Sequence, residues 1–304
     1  MSKTGLIDAD YVNTYLQRRK RQVHKGDCGR LLIAAGSCGM AGAAVLCARG
    51  ALRTGAGLVQ VSVPKELYPV IHAGVPEATC ISRRTSQWNL ERFQAVAIGP
   101  GLGEAEENLK LITTVLTQCR ATVVADADCL NLLARHRNLW LAQVATAADA
   151  DGAAGGDGGF RCQLIVTPHP GEAARLLACS TAQINKDREE SARKLARMLS
   201  AVVVLKGAPT VVSTPDGKTY TNSTGNPGMA TGGSGDVLTG VIASLAGQGL
   251  QPLPAACCGV YLHGLAGDLG AQRWGEYGLM ASDLADFMAL AIERTLSQPE
   301  NLGV

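Results

Sequence analysis

The stretch Asn-Ser-Thr-Gly-Asn-Pro-Gly-Met-Ala-Thr-Gly-Gly-Ser-Gly-Asp, residues 222–236, runs directly into Val-Leu-Thr-Gly-Val-Ile-Ala-Ser-Leu-Ala-Gly, residues 237–247. The first part carries five glycines and one proline in fifteen residues. It cannot be regular helix or strand, because glycine loses backbone entropy there and proline lacks a donor. In the second part the apolar pairs Val237/Leu238, Val241/Ile242 and Leu245/Ala246 recur every four residues, which is one face of a helix. A glycine-rich loop therefore empties into a helix N-terminus. The bare N–H groups and the positive dipole end converge on one point, which suits an anion and above all a phosphate. At the mouth stands Asp236. An Asp at a helix start is often only an N-cap. Three glycines among the four residues before it point further, since a cap needs no exposed backbone and a closely approaching ligand does.

Working outward from this loop, the same unit recurs. An apolar run at 30–35 closes in Gly36-Ser37 and continues through small residues around Ala43 into a helix ending near Arg53. A second strand at 58–63 alternates at Val59, Val61 and Val63. A third at 94–98 ends in Gly99-Pro100-Gly101-Leu102-Gly103. A fourth at 121–125 ends in Asp126-Ala127-Asp128, where Asp126 is a site candidate and Asp128 is equally an N-cap. A fifth at 164–166 ends in Thr167-Pro168-His169-Pro170-Gly171-Glu172, with His169 held extended or turned between two prolines. A sixth at 202–205 leads into Lys206-Gly207-Ala208-Pro209-Thr210, where a cation followed by glycine can meet a phosphate. Strand, glycine-rich loop and helix thus alternate about six times. This predicts an α/β, doubly wound, mostly parallel sheet with helices on both faces and a row of loops at its carboxyl edge.

One domain over 1–304 is expected. Residues 1–25 read as a lead-in with a short helix near 8–17 and a solvated charge run at Arg18–Arg21. An Ala/Gly/Asp segment at 145–159 reads as a flexible insertion, because the strand–helix rhythm resumes after it. Longer helices are expected at 181–199, 254–272 and 282–297.

Bulk composition bounds the rest. With 46% hydrophobic, 18% charged and only 4% aromatic residues, the core must be Ala, Val, Leu and Ile, as in buried parallel sheets. A net charge of +2 argues against nucleic acid as the main partner. The ten cysteines form no CxxC pair and no metal spacing, so free core thiols in a reducing compartment are expected. No apolar leader and no membrane-length run stands out, and a cytoplasmic protein with no membrane partner is the expectation.

The pieces together resemble a family. Gly232-Gly233-Ser234-Gly235-Asp236 is similar to the anion-hole loop of the ribokinase superfamily. Together with Lys25-Gly26-Asp27, Ala41-Gly42-Ala43, the 98–103 and 167–172 loops, Asp126-Ala127-Asp128 and Leu205-Lys206-Gly207, the chain over about 22–298 resembles the NAD(P)H-hydrate dehydratases. The 145–159 segment is outside that pattern, and the epimerase domain often fused upstream is not expected within the first 25 residues.

The resemblance implies a ribokinase-like fold and a repair reaction. The S form of hydrated NADH or NADPH (NADHX, NADPHX) is dehydrated with ADP, giving AMP and phosphate, and the Thr-Pro-His-Pro-Gly-Glu form is similar to the bacterial, ADP-using type. It implies Asp236 as base, with Ala43, Gly101 and His169 lining the hydrate site. It implies Lys206, Gly207, Ala208, Pro209 and Thr210 with Gly235 on the nucleotide, and the N–H groups of Gly233, Ser234 and Gly235 on the phosphoryl group. Mg²⁺ on the phosphates with no nameable protein ligand, a homo-oligomer, and an epimerase working on the same pool are further implications. Two rivals stand beside it. A vitamin-precursor kinase of the same superfamily would share the glycine loop but not the 98–103 and 167–172 motifs together. A silent nucleotide-binding regulator would not need Asp236.

Overall fold

The computed structural model of the chain describes residues 4–138, 140–141 and 160–297. The expected insertion at 145–159 lies outside the described residues. The runs of Val, Leu, Ile and Ala fold into fully buried strands, as their lack of polar alternation requires. Ten strands form one sheet among the described residues: β1 (Gly5–Ile7), β2 (Arg30–Ala34), β3 (Leu58–Ser62), β4 (Thr79–Ile81), β5 (Ala95–Ile98), β6 (Thr122–Ala125), β7 (Gln163–Val166), β8 (Val202–Leu205), β9 (Val211–Ser213) and β10 (Thr219–Asn222). Their order is β1-β10-β9-β8-β7-β6-β5-β2-β3-β4. Only β9 runs against its neighbours.

Helices cover both faces. Ala41–Arg53, Ser234–Gly247, Pro252–Trp274 and Ala281–Leu296 share one apolar core with the sheet. Glu106–Gln118, Asp128–Arg135, Pro170–Leu177 and Arg188–Leu199 share the other. The fold is thus the expected doubly wound, mostly parallel α/β sheet. All ten cysteines are free. No helix among the described residues is long and apolar enough to cross a membrane.

Some local expectations change. The segment expected as a lead-in supplies edge strand β1, paired in parallel with β10, and the helix Ala9–Tyr15 capped by Asp8. The charge run is partly docked: Arg18 Nη2 lies 2.6 Å from Glu293 Oε1, and Arg19 donates to the Gly55 carbonyl. The helix expected over 181–199 is two, Thr181–Lys186 and Arg188–Leu199. Asp187 separates them, accepting from the Glu190 N–H at 3.0 Å as the cap of the second.

Two features position the site. After β2 the chain builds outward to β3 and β4, then returns to β5 on β2's other side. The loops after β2 and β5 therefore leave the sheet at its topological switch point, the part of the carboxyl edge where ligands of such sheets collect. Successive loops are stitched together there: Gly36 N–H donates to Pro100 O (2.8 Å), Asp126 N–H to Ile98 O (3.0 Å), Thr167 N–H to Ala125 O (3.1 Å) and Lys206 N–H to Pro168 O (2.9 Å). The second feature is the contact of helix Ala41–Arg53 with helix Ser234–Gly247. A Cβ on Gly240 would fall 1.9 Å from the Cys47 carbonyl oxygen, and one on Gly50 2.5 Å from that of Val237. Only glycine lets these two helices meet backbone to backbone.

Candidate functional site

The glycine-rich loop runs into a helix, as its spacing predicts. Helix Ser234–Gly247 begins after Gly233, whose φ of 94° is left-handed and which offers no side-chain cap. Asp236 is not the N-cap. It stands in the first helical turn, and the capping reading is set aside. The first-turn N–H groups have no side chain of their own cap to satisfy them, so the helix start stays receptive to an anion.

Four carboxylates and one lysine gather around that start. Lys206 Nζ lies 2.7 Å from Asp126 Oδ1 and 4.0 Å from Glu172 Oε2. Asp126 is almost wholly buried, and its second oxygen accepts from Thr239 Oγ1 at 2.8 Å. Burial works against the Lys206 charge, but Asp126, Glu172 and Asp236 outweigh it and hold the ammonium above the ordinary lysine value. Burial pushes the Asp236 carboxyl up to about 7; Asp126, Asp128 and Glu172 add to this and Lys206 opposes it. Burial likewise takes Glu172 to about 7, with Lys206 pulling the other way. A carboxyl poised near neutrality at the head of a phosphate-type loop is suited to accept a proton from a bound hydroxyl.

Beside this cluster lies a cavity of about 440 Å³. Of the residues expected to hold the nucleotide, Lys206, Gly207, Ala208, Thr210, Ser234 and Gly235 line it. Pro209 and Gly233 do not. Pro209 offers its carbonyl to Arg188 Nη2 at 3.1 Å, and Gly233 packs toward Leu46 and Ala281. The far wall comes from the 225–230 loop and the helix Pro252–Trp274. Asp268 on that helix fixes the loop by accepting from Gly225 N–H (3.0 Å) and Asn226 Nδ2 (2.9 Å).

The residues expected at the hydrate site fall on the same edge. Ala43 opens helix Ala41–Arg53, and Gly101 sits opposite it in the loop after β5. A Cβ on Gly101, whose φ is +56°, would come within 2.8 Å of the Ala43 Cβ. His169 follows β7 and caps helix Pro170–Leu177: its Nδ1 accepts from the N–H of Gly171 (2.9 Å) and of Glu172 (3.4 Å). An accepting Nδ1 carries no proton, and burial, Lys206 and Arg175 all lower the ring's pKa, so His169 is neutral with Nε2 protonated. That Nε2 lies 3.3 Å from Glu172 Oε1. Glu172 thus joins His169 to Lys206. Asp128 accepts from Gly103 N–H at 2.8 Å and ties the loops after β5 and β6.

Several supporting residues were not singled out in the sequence. Arg188 Nη2 donates to the carbonyls of Leu205, Lys206 and Pro209 at 3.0–3.1 Å and so clamps the lysine loop. Arg83 does the same for the loops after β2 and β5 through Ala35 (3.1 Å), Gly36 and Leu102 (3.3 Å). His263, with its pKa taken down to about 4 by burial, puts Nε2 3.0 Å from the Ser234 carbonyl and steadies the helix start. None has a local sequence signal, because each acts on backbone carbonyls distant in the chain.

A glycine-loop helix start, a lysine and a cavity on the carboxyl edge of this sheet form a site suited to a phosphate-bearing ligand, and the fold is that of a ribokinase-like superfamily protein of Enterococcus faecalis (TM-score 0.80, 23% identity). Comparison with known proteins narrows this. Residues 31–289 match the NAD(P)H-hydrate dehydratase family. The bifunctional NAD(P)H-hydrate repair enzyme Nnr of Moorella thermoacetica is 43% identical over 98% of this chain and 55% of its own length. The ADP-dependent (S)-NAD(P)H-hydrate dehydratase of Neisseria meningitidis is 39% identical over 88% of this chain and 86% of its own. The ADP/ATP-dependent NAD(P)H-hydrate dehydratase of Bacillus subtilis, co-crystallised with ATP and Mg²⁺, superposes with a TM-score of 0.83 at 32% identity, covering 96% of this chain and 99% of that one. The chain belongs to the NAD(P)H-hydrate dehydratase family. It spans about half the length of the bifunctional relatives it matches.

Proposed function

We propose that this chain dehydrates the S form of hydrated NADH or NADPH, restoring the reduced cofactor, with ADP converted to AMP and phosphate. The observation that supports the reading is Asp236 in the first turn of an uncapped helix start, with Lys206 beside it on a cavity that Gly207, Ala208, Thr210, Ser234 and Gly235 also line. Hydroxide is a poor leaving group, and phosphorylation makes it a good one.

Asp236 accepts the proton of the ring hydroxyl while its oxygen forms a bond to the terminal phosphorus of ADP. The bond from that phosphorus to the bridging oxygen breaks, and AMP leaves. The ring-nitrogen lone pair then expels phosphate from carbon, and loss of the neighbouring ring proton restores the double bond. Lys206 and the N–H groups of Gly235 and its neighbours face the charge on the transferring phosphoryl group. Lys206, Gly207, Ala208 and Thr210 hold the nucleotide.

Mg²⁺ fits this arrangement only as a partner of the nucleotide. No group of three or more His, Cys, Asp or Glu side chains that could hold a metal occurs among the described residues. Phosphate oxygens and water would therefore carry it, a coordination Mg²⁺ favours, and it would neutralise phosphate charge there. An epimerase acting on the same pool would supply the S form. Cytoplasmic residence and a homo-oligomeric state complete the proposal.

The test incubates purified protein and hydrate with ADP, with ATP or with neither, following nicotinamide absorbance and AMP release. Restored absorbance with one nucleotide consumed per hydrate supports the reading. Consumption of nucleotide with a vitamin-type alcohol but not with the hydrate overturns it in favour of a kinase.

A further inference from the structure

Asp126 has no part in the reaction just proposed, yet it is among the most buried charges in the molecule. It is also elaborately placed. Its backbone N–H is fixed to Ile98 O at 3.0 Å. The next residue, Ala127, is held at φ 49°, a strained value for an L-residue, at the turn that delivers Asp126 and Asp128 to the sheet edge. Its Oδ2 is fixed by Thr239 Oγ1 (2.8 Å), and its Oδ1 holds Lys206 Nζ (2.7 Å). Thr239 is itself fully buried on the helix that begins at the phosphate loop, one turn past Gly235, with the Gly235 carbonyl 3.1 Å from its hydroxyl. The other end of the chain of contacts is equally tight: a Cβ on Gly235 would lie 3.1 Å from Lys206 Nζ.

From these contacts we infer that Asp126, locked by Thr239, is a positioning residue that aims the Lys206 ammonium at the phosphoryl group transferring over Gly235. The inference rests on the phosphoryl-transfer reading of the site. Lysine has a long flexible stem and a point charge, so its aim must be imposed from outside. Asp126 supplies both the direction and a counter-charge. Thr239 ties that direction to the same helix whose N-terminus receives the phosphate, so anion seat and ammonium move as one piece.

The groups facing Lys206 and Asp236 are Asp126 and Asp128 after β6, His169 and Glu172 after β7, His263 from helix Pro252–Trp274, and the Cys47 thiol from helix Ala41–Arg53. Among them Asp126 touches Lys206 most closely. Removing its charge also removes a negative neighbour of Asp236.

The experiment compares wild type, Asp126→Asn, Thr239→Val and Thr239→Ser. Hydrate turnover with ADP is measured across pH. Separately, acylation of Lys206 is followed against pH by peptide mass spectrometry. Asp126→Asn is expected to lower kcat about 10–100-fold with KM for ADP changed less than about threefold, the mark of a misaimed rather than a missing contact. It is also expected to move the acidic limb of kcat/KM to lower pH, and to make Lys206 reactive at lower pH. Thr239→Val keeps the charge, so it lowers kcat without moving the limb, and Thr239→Ser recovers the loss.

An unchanged kcat in Asp126→Asn, or a Lys206 titration indifferent to that change, overturns the inference while wild-type turnover keeps the function. If wild type does not turn over the hydrate, the function falls, and the Lys206 titration still decides whether Asp126 governs the lysine. Should Asp126→Asn fail to fold, Thr239→Val against Thr239→Ser decides by kcat: equal values overturn the positioning role.

Discussion

Replacing Asp236 with Asn is expected to strengthen the fold while stopping the reaction. Its carboxyl is lifted from 3.8 to about 7, first by burial and then by Asp126. A carboxyl raised in the folded state contributes stability that is fully present below its unfolded pKa near 3.8 and is lost as the pH climbs to about 7. By pH 8 this shift opposes folding by roughly 4 kcal/mol, and near pH 5, where the folded carboxyl is protonated and the unfolded one ionised, by roughly 2 kcal/mol, at about 1.36 kcal/mol per unit. Asn has the same shape and no charge to desolvate. With an unfolding entropy of about 2.1 cal/mol/K per residue, a chain of 304 residues gains roughly 1.6 °C per kcal/mol. The variant should thus melt about 6 °C higher at pH 8, about 3 °C higher at pH 5, and level with wild type near pH 3.5. Thermal unfolding by circular dichroism across this range measures it, and hydrate turnover is followed on the same samples. A variant that melts below wild type at pH 8, or by the same margin at every pH, would show that Asp236 is not a desolvated base.

Other outcomes follow from neighbouring geometry. The rate kcat/KM of the wild type should fall tenfold per unit below about pH 7, as Asp236 takes up its proton, and a flat profile down to pH 5 would exclude it as the base. Gly101→Ala meets both a φ of +56° and the Ala43 Cβ at 2.8 Å, so the hydrate KM should rise at least about tenfold with ADP binding unchanged, as calorimetry would show. Arg188→Ala frees the three carbonyls of the lysine loop and should weaken ADP binding by about 1–3 kcal/mol, read from the same calorimetry.

What could be read in advance divides along physical lines. Glycine clusters beside four-residue apolar spacing are local signals, so the glycine loop entering a helix, Asp236 in its first turn and the row of strand-end loops were legible. Lys206 was legible as a cation followed by glycine at a strand end. Asp126 appeared as a candidate without a role, because its role depends on Thr239, 113 residues away, and no spacing encodes that. Arg83 and Arg188 carry no signal in the sequence, since the carbonyls they hold have no side-chain signature. Strands β1 and β4 have three residues each, too few for a period to show. The break at Asp187 was readable and passed over: Asp187 followed by Glu190 is a cap signal inside a helical run.

The helix bearing Ala43 and the helix bearing Asp236 meet backbone to backbone at Gly50 and Gly240. Interposed side chains would act as springs, each rotamer hop shifting the hydroxyl against the phosphorus. In the proposed reaction, donor and acceptor seats would be mounted on a single rigid jig whose tolerance is that of main-chain atoms. Changes of substrate are then easiest in the loops, where an altered fit leaves the jig true. A methyl group at Gly240, far from any ligand, would put it out of alignment for every substrate at once.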